Sequence, residues 1–228
     1  MSLCINNDLI WIAIPKCASK SIEKAFINSD LDINHYIYGK IKNDREYLHM
    51  HADVKELYSN FGIKETISVK RNFFERWLSG FEYFLTKCEE LEIKTKIRWE
   101  EIDNDFIYKE FSKEYVNYIN TGIDFTLRDR INSKFVENSY LKKTNFCIGN
   151  MLLSQNYWIK TEKCTYEFDI NELNKFEEFI KKRYNKNIHI EHLNKSKNKE
   201  TKIIKNDELK NWVYDNFEKP FIKRSRLI

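Results

Sequence analysis

Leu9-Ile10-Trp11-Ile12-Ala13-Ile14 runs straight into Pro15-Lys16-Cys17-Ala18-Ser19-Lys20-Ser21, and the join between the two decides the fold. Six apolar residues without polar alternation, stopped by a proline, describe a strand covered on both faces, as in a parallel sheet. The small residues that follow lead into a helical pattern with Ile22, Ala25 and Phe26 on one face. Such a loop, between a buried strand and a helix N-terminus, presents backbone N–H groups and the positive end of the helix dipole. That is a cradle for phosphate or sulfate. Lys16 and Lys20 add charge to it, and Ser19 and Ser21 add hydroxyls. The bland alternative is a plain turn with two solvated lysines.

A second strand is expected at Glu65-Thr66-Ile67-Ser68-Val69-Lys70, followed by the clearest helix in the chain. Phe74, Trp77, Leu78, Phe81, Phe84 and Leu85 fall on one stripe, and Asn72 with Glu75 reads as its capping box. Asp53 with Glu56 and Asp169 with Glu172 repeat that start signal. The helix after Asp169 turns Leu173, Phe176, Phe179 and Ile180 inward, and a last helix from about Asp207 carries Leu209, Trp212, Val213 and Phe217. Residues 103–145 read as mostly helical, and Tyr157-Trp158-Ile159-Lys160 as a late strand. Strands alternating with helices give an α/β fold, a central parallel sheet flanked by helices, and one domain over residues 1–228.

Composition narrows the class. The chain of 228 residues has 15% aromatics, five glycines, two prolines and a net charge of +4, which excludes wholesale disorder and collagen-like architecture. No apolar run approaches the roughly 18 residues that span a bilayer, and no signal peptide is visible, so a cytoplasmic protein without a membrane anchor is expected. Cys4, Cys17, Cys88, Cys147 and Cys164 are odd in number and include no C-x-x-C pair. Free thiols are expected rather than disulfides or a zinc site, and no metal is called for. Residues 181–210 hold ten Lys or Arg against four Asp or Glu, leaving the remainder at −2. Such a segment is either a solvated face or an anion-binding rim.

Two phosphate-loop readings compete for residues 14–21. Aligned on its end, the loop is a Walker A stripped of both glycines, with Ile14 and Ser19 in their places. Aligned on its start, Pro15-Lys16-Cys17-Ala18-Ser19-Lys20-Ser21 is similar to the 5′-phosphosulfate loop of sulfotransferases. A neighbouring strand tip should deliver a second ligand. Strand 65–70 ends on Arg71, and Ser79 stands eight positions later with Arg76 between them, which resembles the 3′-phosphate motif of the same enzymes. The two motifs in this order are far more specific than either alone. The likeness is closest to the uronyl 2-O-sulfotransferases: Leu48-His49-Met50-His51-Ala52-Asp53 resembles their His-Gly-His segment, and His192-Leu193-Asn194-Lys195-Ser196-Lys197 their late His-Leu-Arg-Lys-Thr loop. Met50 stands for Gly, Cys17 for Thr and Asn194 for Arg.

The resemblance implies the P-loop-NTPase-like sulfotransferase fold. It also implies transfer of a sulfuryl group from 3′-phosphoadenosine 5′-phosphosulfate (PAPS) to a hydroxyl, with a carbohydrate as the expected acceptor, and release of 3′,5′-ADP. In that scheme Lys16 meets the leaving phosphate, residues 17–21 (Cys17, Ala18, Ser19, Lys20 and Ser21) hold the 5′ side, and Arg71 and Ser79 hold the 3′-phosphate. Asn194, Lys195 and Ser196 add to the nucleotide site, and His51 or His49 takes the acceptor's proton. An anionic glycan is the acceptor the basic residues would attract. The alternatives are a P-loop kinase, disfavoured by the missing glycines, and a non-catalytic module binding nucleotide or nucleic acid through residues 181–210.

Overall fold

The computed structural model describes residues 2–37, 40–42, 51–90, 99–111, 116, 151–159, 164–191 and 201–224. They divide into two compact units, one of residues 1–72 and 155–196, the other of residues 73–154 and 197–228.

The first unit is an α/β layer on a six-stranded mixed sheet. Its strands are β1 (Leu3–Ile5), β2 (Leu9–Ile12), β3 (Ile33–Ile37), β4 (Lys40–Lys42), β5 (Glu65–Lys70) and β6 (Tyr166–Asp169), in the spatial order β4-β3-β1-β2-β5-β6. β2, β5 and β6 are parallel, with Leu9 opposite Glu65 and Ile67 opposite Tyr166. The other pairings are antiparallel, which corrects the expectation of a purely parallel sheet. The reason is local. Asn6 and Asn7 adopt left-handed φ of 44° and 57° and fold the chain straight back from β1 to β2, a connection too short for a parallel crossover.

Among the described residues of this unit four helices form: α1 (Ser19–Ile27), α2 (Val54–Phe61), α5 (Gln155–Ile159) and α6 (Leu173–Tyr184). Asp53 and Glu56 form the expected capping box at α2, with Asp53 accepting from the amides of Lys55 and Glu56 and donating its own N–H to Glu56. Asp169 instead starts a 3₁₀ turn at Ile170–Glu172, and α6 begins after it. Tyr157-Trp158-Ile159 is not a strand but lies on the short α5; a run of three apolar residues carries no period by which helix and strand differ. The core is aromatic. Phe26 of α1 packs on Trp11 of β2 at 5.6 Å and on Phe176 of α6 at 6.0 Å, and Phe176 meets Phe168 of β6 at 5.5 Å. Phe176 and Ile180 are fully buried, whereas Leu173 and Phe179 are half-buried.

The described residues of the second unit form the helices α3 (Phe73–Glu90), α4 (Asn104–Glu110), α7 (Asp207–Val213) and α8 (Lys219–Arg224), the last two joined through a π turn at Tyr214–Glu218. The stripe on α3 is buried at Phe74, Trp77, Leu78, Phe81 and Leu85; the side chain of Phe84 lies outside the described residues. Trp77 stacks on Phe81 at 5.3 Å and meets Phe217 at 5.5 Å. Gly80 is required where α3 touches the backbone of Met151, since a Cβ there would stand 2.5 Å from the carbonyl oxygen. Most of the 103–145 stretch lies outside the described residues. No helix among the described residues is long and apolar enough to cross a membrane.

Candidate functional site

β2 ends at Ile12, and Ala13 and Ile14 carry the buried backbone on to the carboxyl edge of the sheet. There the amide of Cys17 donates to the Ile14 carbonyl at 3.3 Å and closes a turn over Pro15 and Lys16. Lys16 and Ala18 both have left-handed φ, 65° and 57°. The bends that glycines would make in a nucleotide loop are thus made by two residues with Cβ atoms. Each such bend costs roughly 1–2 kcal/mol, and strain of this kind concentrates at functional sites. Ala18 is also the N-cap of α1, and it offers no side-chain acceptor to the helix. The first turn contains no acidic residue, and the positive end of its dipole lies at the loop. Ser19 and Ser21 are buried beside it, and Lys16 and Lys20 are half-buried.

The strain makes a stability prediction. Ala18→Gly should relieve the left-handed penalty against a loss of roughly 0.5–1 kcal/mol in chain entropy, leaving stability unchanged or up by at most about 1 kcal/mol. A urea midpoint that holds or rises bears this out. A fall of about 1 kcal/mol, the usual cost of glycine in place of alanine inside a helix, contradicts it.

Gln155, which no motif in the sequence singles out, joins this loop to the tip of β5. Its Oε1 accepts the Arg71 amide at 2.9 Å and the Cys17 thiol at 3.4 Å, while its Nε2 donates to the Arg71 carbonyl at 2.6 Å. The expectation that two neighbouring strand tips lie together therefore holds in the geometry: parallel β2 and β5 end on one edge, and one amide touches both tips. Arg71 itself is half-buried.

His51 stands at the same strand end. Its Nδ1 lies 2.6 Å from the Ala13 carbonyl, and its ring packs on Trp158 of α5 at 5.6 Å. A carbonyl oxygen only accepts, so Nδ1 carries the hydrogen and a neutral ring has its lone pair on Nε2. Ser2 braces the pair, accepting the Ala13 amide at 3.1 Å and donating to the Ala52 carbonyl at 3.5 Å.

The remaining expected residues distribute differently. Ser79 is half-buried on α3 and belongs to the second unit, whereas Arg71 belongs to the first. Arg76 is fully buried and donates to the carbonyls of Met151, Leu152 and Leu153; it braces that backbone within the second unit. His49, Asn194, Lys195 and Ser196 lie outside the described residues, as does most of the late basic loop. Cys4, Cys17 and Cys164 are buried free thiols, and burial pushes the Cys4 thiol up to about 11. Among the described residues no three His, Cys, Asp or Glu side chains gather as a metal site. Ser21 also borders a cavity of about 240 Å³ between α1 and residues 187–191, crossed by a Lys24–Glu191 ion pair at 3.1 Å.

One member of the basic segment has a purely structural place. Arg183 reaches the opposite, amino-terminal edge of the parallel strands, pairing with Asp8 at 2.8 Å and Glu65 at 2.6 Å, while Tyr184 donates to Asp8 at 2.6 Å. Hydrogen bonds from Arg183 and Tyr166 hold the Glu65 carboxyl below the ordinary carboxylate value. A depressed folded-state pKa gives stability that is complete above the unfolded value, about 4.3, and drains away as pH falls through the folded one. Denaturation midpoints should therefore drop between about pH 5 and pH 3, and Arg183→Met should flatten that slope. An equal slope in the variant would remove the cluster from the acid response.

Comparison of the chain with protein-family models, with curated proteins and with solved structures finds no match.

Proposed function

We propose that the protein is a sulfotransferase moving a sulfuryl group from PAPS to a hydroxyl, with a carbohydrate as the acceptor class, on a P-loop-like sulfotransferase variant of the α/β fold. The observation that carries the reading is the meeting of the strained Pro15–Ser21 loop and the Arg71 tip on the Gln155 amide, with the His51 imidazole fixed to the same strand end.

The residues suit the group they would hold. A loop with two left-handed residues and a helix start without a side-chain cap offers amides to an anion, and Lys16 and Lys20 add ammonium donors to the hydroxyls of Ser19 and Ser21. Arg71 supplies a guanidinium to the second anionic end. Lys16 neutralises charge that builds on the phosphate side as the sulfuryl group departs, and the amides of residues 17–21 hold that side still. His51 receives the acceptor's proton at Nε2, with Nδ1–H anchored on Ala13 so that the ring keeps one tautomer. Catalysis is positioning and electrostatics, as in phosphoryl transfer.

The test pairs binding with turnover. The melting point should rise with 3′,5′-ADP and stay flat with ATP and magnesium, because only a ligand of the folded state stabilises it. Transfer of radiolabelled sulfate from PAPS across glycans, phenols and peptides should then find a hydroxyl acceptor. Stabilisation by ATP and magnesium alone would replace the reading with a phosphotransferase.

A further inference from the structure

Beyond the pairing Ile12–Ser68, β2 and β5 separate, and three residues further on Arg71 still has both backbone groups hydrogen-bonded. The partner is a side chain. The Gln155 amide lies on Arg71 as a neighbouring strand would, one bond in each direction, and its oxygen takes the Cys17 thiol as well. Gln155 is 8% exposed and sits at the start of α5, whose next turn presents Trp158 to His51. A planar amide of fixed size is thus the spacer between the loop after β2 and the tip of β5. Changing the spacer alters the distance between the loop and Arg71 without touching either one's charge.

We infer that Gln155 is a positioning residue that sets the span between the two anion-binding tips, and with it the selection of a nucleotide phosphorylated at both its 5′ and 3′ positions. The inference rests on the donor reading above. A residue that only stabilised the fold would change affinity for all nucleotides by one factor. A spacer changes the advantage of the ligand that must reach both tips, and coupling through one shared group is typically worth a factor of about ten.

The experiment measures the affinity ratio of 3′,5′-ADP to 5′-AMP by titration calorimetry in the full chain. The wild type should favour the bisphosphate, and Gln155→Met should cut the ratio about tenfold while 5′-AMP binding moves by less than about threefold. Hydrogen exchange supplies the structural control: the Arg71 amide should lose protection in the variant while the amides within β5 keep theirs. Should Gln155→Met lose the protection of β5 as well, Cys17→Ala and Cys17→Ser take its place. The alanine variant should lower the ratio, and the serine variant, which restores a donor to Oε1, should recover it. An unchanged ratio in these variants, or an equal weakening of both ligands, overturns the inference alone. A wild type that shows no preference for the bisphosphate overturns the donor reading and the inference with it.

Discussion

His51→Asn is expected to cut kcat for sulfate transfer by roughly 10²–10⁴-fold, the range general-base catalysis supplies, with affinity for 3′,5′-ADP within a few-fold of wild type. Asparagine is chosen over alanine because its amide N–H can still donate to the Ala13 carbonyl that His51 holds at 2.6 Å. The short side chain preserves that anchor and removes the imidazole's basic nitrogen. Steady-state kinetics with saturating PAPS read the effect, and a thermal melt shows that the fold is intact. Unchanged turnover would take His51 out of the mechanism. With Nδ1 held on the Ala13 carbonyl, Nε2 is the ring nitrogen left to take a proton.

Lys16→Ala should lower kcat by about 10²–10³-fold, the loss typical when one preorganised electrostatic donor is removed from a transition state. The backbone cost of the left-handed residue is the same for both side chains, so stability should move little. The loss should appear in kcat rather than in the donor KM, since the charge Lys16 meets develops during transfer. A variant that raises KM at constant kcat would make Lys16 a simple anchor for the ground state.

Much of the first unit was legible because its signals are local. An unbroken apolar run at 9–14, the D-x-x-E start at Asp53 and the alternation before Arg71 each report a structure formed within a few residues, and β2, α2 and β5 follow them closely. The antiparallel half of the sheet was not, since β1 and β4 have three residues each and carry no period. The loop between β2 and α1 was legible from its small residues, and the anion cradle read there remains part of the proposal. How the loop bends was not legible: alanine and lysine give no warning of a left-handed φ. Gln155 was invisible for a different reason. It acts 138 residues from Cys17 and 84 from Arg71, and a single buried amide has no pattern in one sequence. Arg76 illustrates the converse. Its place inside the Arg71–Ser79 spacing suggested a phosphate contact, and its fully buried guanidinium goes to three backbone carbonyls instead.

Crystals soaked in 3′,5′-ADP decide the central claim, that the carboxyl ends of β2 and β5 together form the binding edge for a nucleotide anionic at both ends. The 5′-phosphate should lie on the amides of residues 17–21 and the 3′-phosphate on the Arg71 guanidinium. Nucleotide bound elsewhere, or with both phosphates clear of that edge, would contradict it.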